Sequence, residues 1–360
     1  MTDHPQQSAQ SQPPASATQR PSAGGHPISS AATTVGLCAI LLWSMMTGLV
    51  RVVADAFGAT LGSALIYTTG VVLLMIFHRP APLREYPRKY LLFGGLLFVF
   101  YESSISLSIG LASTAESSVE VSLVNYLWPT MMVLLTAAVF PTVRRRGVAA
   151  DRRNIAAAAN DGTADGVGGR SDGNTRPSRL RSVLRVLPGA IVATAGVVLA
   201  VGGNSGLDWG LAAQHIAANP LPYLLAFAGA SAWSVYAVFT PAMADGKDGT
   251  SVFFPFVAVA LWVIHFTSGE GWPPAAPSIW GWLAVLGAAA SIAGGYACWG
   301  HGILHGSMRT LAMASYAAPV LSTAASAVLL GLALSLPFWC GALLVAAGSI
   351  LNWWISSRRR

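Results

Sequence analysis

From about residue 34 onward the chain alternates long apolar stretches with short polar joints. Ten such stretches stand out, at about 34–54, 59–77, 90–111, 116–140, 182–202, 221–242, 250–267, 279–300, 308–331 and 336–356. Each approaches the roughly 20 residues that a helix needs to cross the hydrocarbon core of a bilayer. Lipid offers no partner to an exposed peptide group, so the expected fold is an all-α integral membrane protein of ten spanning helices. Pro129, Pro222 and Pro255 fall within these stretches and predict kinked or broken helices.

The polar segments set the boundaries. Residues 1–32 are rich in Gln, Ser, Pro and Ala and hold too little apolar surface to offset the entropy of ordering, which predicts a disordered tail. The tail does not read as a signal peptide, because the first apolar run begins near Val35 and is long enough to span. Residues 141–181 carry Arg144, Arg145 and Arg146, an alanine run and a Gly- and Asp-rich stretch, and read as a disordered basic insert. Such a loop is able to touch anionic lipid headgroups, although a solvated linker is the simpler reading. Residues 357–360 form a basic C-terminus.

Composition agrees with the pattern, since 54% of residues are hydrophobic and 10% charged, against the roughly 25% charge of soluble domains. The net charge of +7 would suggest a nucleic-acid partner in a soluble protein. Here it reports topology instead. With the N-terminus inside, twenty of the 21 lysines and arginines fall in cytoplasmic segments, and only Arg51 lies near the other side, with Asp55, Glu116, Asp208 and Glu270. That alternation requires an even number of spans with both termini cytoplasmic, and it removes nucleic acid as a partner. Cys38, Cys298 and Cys340 are widely spaced within apolar runs, so they provide no disulfide framework or metal pair and read as small core residues.

The two halves repeat. An offset of 190 pairs Trp43-Ser44 with Trp233-Ser234, Gly110 with Gly300, Tyr126 with Tyr316, and Pro129 with Pro319. Beyond the insert the offset becomes 152 and aligns residues 189–196 with 341–348, a drop close to the length of the insert. The first unit therefore comprises residues 33–140 and 182–202, and the second 221–356. Five helices per unit is odd, so the second unit enters the membrane from the opposite side. Such inverted repeats, related by a pseudo-two-fold axis in the membrane plane, are a transporter architecture.

These residues carry a family resemblance. The paired Trp-Ser helices, the stretch from Glu120 to Pro129, the stretch from Gly300 to Gly306 and the duplication resemble the EamA-like drug/metabolite transporter superfamily. Residues 41–44, 97–102 and 124–129 are similar to the YddG-type aromatic amino acid exporters of the bacterial inner membrane. The resemblance covers all ten spans but neither the tail nor the insert, which is longer than is usual there. It implies a central cavity, alternating access, and export of neutral amino acids, aromatic ones foremost and small neutral ones as well.

Several residues suit such a cavity. Gly94, Tyr101, Ser104 and Ser108 share one face of the third span, and Glu102 lies at mid-span. A carboxylate at that depth costs at least about 2.5 kcal/mol and must face protein or water. Two roles compete for it: holding a substrate ammonium or a proton, and a structural role between helices. On the fourth span Ser118, Ser122, Asn125 and Pro129 form a stripe flanked by Tyr126 and Trp128. Pro129 has no amide hydrogen for the carbonyl of Asn125, and Pro319 none for Ser315, so both prolines are candidate hinges. Glu120, toward the outer end, reads as solvated.

The resemblance places Trp43, Tyr101, Tyr126, Trp128, Trp233, Tyr236, Trp299 and Tyr316 on cavity-lining helices. Aromatic walls stack on an aromatic side chain and hold a cationic group against a ring face. By contrast Trp280, Trp282, Trp339, Trp353 and Trp354 at span ends fit an interfacial belt. His301 and His305 suit helix-end hydrogen bonding, and Gly189, Gly196, Gly341 and Gly348 suit close helix packing.

No span interior carries Lys or Arg, which disfavours phosphate-bearing substrates. No catalytic motif is present, so neither an enzyme nor a cofactor is expected. The expected partners are the lipid bilayer and an amino acid substrate. Efflux of hydrophobic or quaternary-ammonium compounds is the alternative, kept alive by Glu102, and a channel or lipid-handling protein is a remote one.

Overall fold

The computed structural model describes residues 29–77, 80, 82–139, 179–204, 209–245, 247–273 and 275–357. The expected disordered tail and basic insert therefore lie almost wholly outside the described residues. Every regular element among the described residues is helical.

In chain order the helices begin with α1 (Ser30–Phe57), α2 (Ala59–Phe77), α3 (Gly95–Gly110), α4 (Ala115–Asn125), α5 (Trp128–Val139) and α6 (Arg179–Asn204). A short helix, α7 (Trp209–Ala218), leads to α8 (Leu221–Met243), α9 (Thr250–Ser268), α10 (Ile279–His305), α11 (Met308–Ser315), α12 (Ala318–Leu330) and α13 (Leu336–Ser357). Among the described residues, seven segments are long and apolar enough to cross a membrane. Three shorter apolar stretches, Leu187–Gly203, Ala318–Leu330 and Leu336–Asn352, occupy the places of the fifth, ninth and tenth expected spans. The short α7 was not expected; its sequence from Trp209 to Ala218 lies in what reads as a joint.

Local signals place the ends. Ser29 accepts from the amide of Ala32 at the start of α1, and Thr114 and Ser117 form a reciprocal capping box at the start of α4. A π-helical turn, Tyr90–Gly94, opens the third span ahead of α3. The prolines act as breaks more than kinks. Pro129 lies in the first turn of α5 and Pro319 in the first turn of α12, where the missing amide hydrogen is no loss. The fourth expected span is thus two helices joined at Tyr126 and Leu127, and the ninth expected span is two joined at Tyr316 and Ala317. Pro222 opens α8, whereas Pro188 and Pro255 lie within continuous helices.

The most extensive pairings are α6 with α13 and α1 with α10, followed by α3 with α8, α2 with α9, and α1 with α12. Where α6 meets α13 the backbones touch: a Cβ on Gly196 would lie 2.6 Å from the carbonyl oxygen of Gly341, and one on Gly348 equally close to that of Gly189. The four glycines expected to allow close packing therefore pair across this interface. The outer faces of the bundle expose Leu92, Leu96, Val259, Phe266, Trp280 and Val328, as a lipid-facing surface requires. Many hydroxyls within the helices bond to their own helix one turn back. Ser44 donates to the carbonyl of Ile40, Thr68 to Ala64, Ser234 to Ala230 and Thr323 to Pro319, at 2.7 to 2.8 Å.

Candidate substrate site

Glu102 sits in the middle of α3 and is 2% exposed. The third span is buried on every side here, since all residues from Glu102 to Ile109 are enclosed, so the stripe of Gly94, Tyr101 and Ser108 is not its only inward face. Both carboxylate oxygens are bonded. The Tyr67 hydroxyl of α2 donates to Oε2 at 2.5 Å, and the Tyr296 hydroxyl of α10 donates to Oε1. Charge-assisted bonds to two phenols offset much of the desolvation that a mid-span carboxylate suffers.

Rings surround this group. Tyr296 meets Trp43 edge-on at 5.2 Å and Phe98 at 5.6 Å, and Trp43 tilts against Trp299 at 5.5 Å. On the other side Trp233 of α8 stacks on Tyr236 at 5.1 Å, lies 4.7 Å from Tyr101 and meets Trp128 edge-on at 6.4 Å. Trp233 and Tyr296, 6.4 Å apart, close the two halves of the cluster. Small residues permit this approach. Gly295 leaves room for the indole of Trp43, and Gly229 lets α3 come so near that Ser104 Cβ is 3.2 Å from where a Cβ would stand.

Polar groups border the rings. Asn125 ends α4, is 6% exposed, and turns its amide toward the Tyr101 hydroxyl. Tyr126, at the break, reaches Ser322. The Thr47 hydroxyl of α1 bridges Ser122 of α4 at 2.8 Å and Ser322 of α12 at 3.2 Å, joining three helices in one hydroxyl cluster.

Eight of the ten candidate binding residues, Trp43, Tyr101, Glu102, Asn125, Trp128, Trp233, Tyr236 and Trp299, thus gather around one locus. Tyr126 belongs to the hydroxyl cluster beside it. Tyr316 lies half-buried at the α11–α12 break and, among the described residues, outside the ring cluster. Tyr67, Tyr296, Phe98 and Phe254 were missed. A signal for the two tyrosines existed: a buried carboxylate needs donors, and few spans offer a tyrosine at the right depth.

Other expectations need correction. Glu120 is 2% exposed, not solvated, because α8 covers it and Tyr223 donates to its Oε2 at 2.5 Å. Cys38 and Cys340 are exposed, not packed in a core. His301 and His305 are exposed and lie ring to ring at 5.0 Å; the helix-end bond there is made by the His305 carbonyl, which accepts from Ser29 N at 3.0 Å. Trp280, Trp282 and Trp354 are exposed, as an interfacial belt requires. Among the described residues no group of three His, Cys, Asp or Glu could hold a metal ion.

Known proteins share this chain's sequence and fold. It is 36% identical over 332 residues to the aromatic amino acid exporter YddG of Salmonella typhimurium, covering 92% of this chain and 99% of that one. The exporter of the same name from Escherichia coli is 36% identical over 328 residues, covering 91% and 98%. One from Ancylobacter novellus is 29% identical over 311 residues, covering 82% and 87%. The EamA-like transporter family matches residues 220–354. The chain belongs to the EamA-like transporter family. A solved crystal structure, 26% identical, superposes with a TM-score of 0.57 over 91% of this chain and 98% of its own. Membership in the EamA-like family makes this a multi-pass membrane transporter and not an enzyme.

Proposed function

We propose that this protein exports neutral amino acids, aromatic ones foremost, from the cytoplasm across the bacterial inner membrane. The observation that carries the reading is the Glu102 carboxylate, bonded by two phenols and enclosed by indole and phenol rings. The three relatives named as aromatic amino acid exporters support the same substrate class. The substrate ammonium takes the place of a phenol hydroxyl on Glu102, its ring stacks against Trp233 and Trp43, and its carboxylate meets Asn125 and the hydroxyls of Thr47, Ser122 and Ser322. One carboxylate opposite one ammonium suits a zwitterion whose side chain is neutral. The absence of Lys and Arg from the span interiors argues against phosphate-bearing substrates.

Transport proceeds by alternating access of two inverted five-helix units. The pattern of pairings supports this arrangement. Exchanging the units turns the α1–α10 pair into α3–α8 and α1–α12 into α5–α8, while α2–α9 and α6–α13 each map onto themselves, and all of these pairs are in contact.

The test is counterflow in proteoliposomes with labelled phenylalanine, tryptophan, threonine and a quaternary ammonium compound. Exchange of phenylalanine and tryptophan is the expected result. Exchange of the quaternary cation alone would replace this reading with drug efflux, which a buried carboxylate among rings also suits.

A further inference from the structure

The α2–α9 pair is fastened at both of its ends. Each helix is 19 residues long, and their N-termini occupy corresponding places in the two repeats, at opposite faces of the bundle. At the face where α2 begins, the Glu270 carboxylate from the segment after α9 accepts the amide of Thr60 at 3.0 Å. The Thr60 hydroxyl bonds to Nδ1 of His265, which is 2% exposed, at 2.8 Å. Gly58, at φ +90°, makes room for this: a Cβ there would collide with Glu270 Oε1. At the face where α9 begins, the segment after α2 returns the contact. Tyr86 donates to the Asp248 carbonyl at 3.1 Å, the Tyr90 hydroxyl accepts the amide of Gly249 at 3.0 Å, and Lys247 pairs with Glu85 at 3.0 Å. Asp248 itself caps α9 by accepting the amide of Thr250 at 2.9 Å.

Between these clasps the two helices stay in contact. Trp262 donates to the Thr68 hydroxyl at 2.9 Å, and Tyr67 lies against Phe254 at 5.6 Å. A gate between repeats opens at one face while it closes at the other. Here the same two helices are held at both faces at once by clasps that each contain a charged side chain, Glu270 at one and Lys247 with Glu85 at the other. The α3–α8 pair is tied by neutral groups, with Asn219 donating to the Leu111 carbonyl and the Ser113 hydroxyl at one end and the Tyr90 and Tyr236 hydroxyls paired at the other. At the two ends of α1–α10, Ser29 N bonds the His305 carbonyl and Phe57 lies edge-on to Trp282.

We infer that α2 and α9 form a fixed seam joining the two repeats, and that the remaining helices rock about this seam without opening it. The inference rests on the transport reading above and assigns to α2–α9 a static role within it. The moving walls are then the pairs that line the ring cluster, α1–α10 and α3–α8.

Cross-linking tests this, in a chain with Cys38, Cys298 and Cys340 replaced by serine. One variant carries Thr60→Cys with Glu270→Cys, a second carries Glu85→Cys with Lys247→Cys, and a third, across α3–α8, carries Ser104→Cys with Gly229→Cys. The seam positions meet through the tips of long side chains and are wider apart than a disulfide spans, so a short bis-methanethiosulfonate reagent, cleavable by reductant, links each pair. Counterflow of labelled phenylalanine is measured before and after linking, with cross-linking followed by mass spectrometry. Absence of exchange in the unlinked proteins and in the cysteine-free parent would count against the transport reading, not the seam. Given exchange before linking, linking either seam pair is expected to leave the rate within about twofold, and linking the α3–α8 pair to lower it at least about tenfold. Loss of exchange on locking a seam pair, restored by reductant, would overturn the inference and make that clasp a gate. Persistence of exchange with α3–α8 locked would overturn it equally, since the motion would then lie elsewhere.

Discussion

At the scale of single residues, both oxygens of Glu102 already hold a phenol, so an arriving ammonium must displace one of them. Glu102→Gln keeps the shape and removes the charge. Phenylalanine counterflow is expected to fall at least about tenfold, with a raised half-saturation concentration, and unchanged exchange would remove the ammonium role. Tyr67→Phe and Tyr296→Phe each remove one donor from the same carboxylate. Because they share that partner, their effects on thermal stability in detergent should be non-additive, coupled by about 0.5–3 kcal/mol; strict additivity would show that the two bonds act separately. Glu102 was legible in the sequence because a carboxylate in an apolar run has to be explained. Its partners were not, because tyrosine fits an apolar run without remark and Tyr296 lies 194 residues away along the chain. Glu120 was misread because closeness to a helix end was taken for exposure, whereas Tyr223 from another helix covers it.

At the scale of helices, the breaks at Tyr126–Leu127 and Tyr316–Ala317 are the most distinctive elements, and each is followed by a proline in the first turn of the next helix. Restoring an amide hydrogen by Pro129→Ala or Pro319→Ala favours a continuous helix through the break. Slower exchange with normal membrane insertion is the expected outcome, and unaltered exchange in both variants would end the hinge idea. The α6–α13 interface gives a second case. Gly196→Leu would drive a side chain into the backbone of α13, and the overpacking should cost about 1–3 kcal/mol, read as a lower melting temperature in detergent. A conservative Leu344→Met on the facing helix should not reproduce it. These glycines were visible in advance because their seven-residue spacing recurs in both halves. The short α7 was not, because its apolar run from Trp209 to Ala218 is too short to cross a bilayer and so reads as a joint.

At the scale of the whole molecule, the charge pattern implies an orientation. Cysteines placed singly in the 141–181 segment and at residue 358 should react with an impermeant maleimide from the same side of the membrane, and one at Asp55 from the other; any other result would undo the inverted arrangement. Much of the fold was readable because lipid permits few solutions, whereas the cluster at Glu102 depends on which helices become neighbours, something no stretch of sequence encodes by itself. The locally bonded hydroxyls carry a consequence for biogenesis. Ser44, Thr68, Ser234 and Thr323 bring their own carbonyl partners with them, so their helices can leave the translocation machinery without waiting for neighbours. Glu102 has no such provision. Tyr67 has already been synthesised when α3 enters the lipid, but Tyr296 follows only after most of the second repeat has been made. During that interval one carboxylate oxygen lacks its native donor. The α2–α3 hairpin is therefore the nascent intermediate most exposed to quality control, and a chain truncated before α10 should be degraded faster in cells when Tyr67 is replaced by phenylalanine.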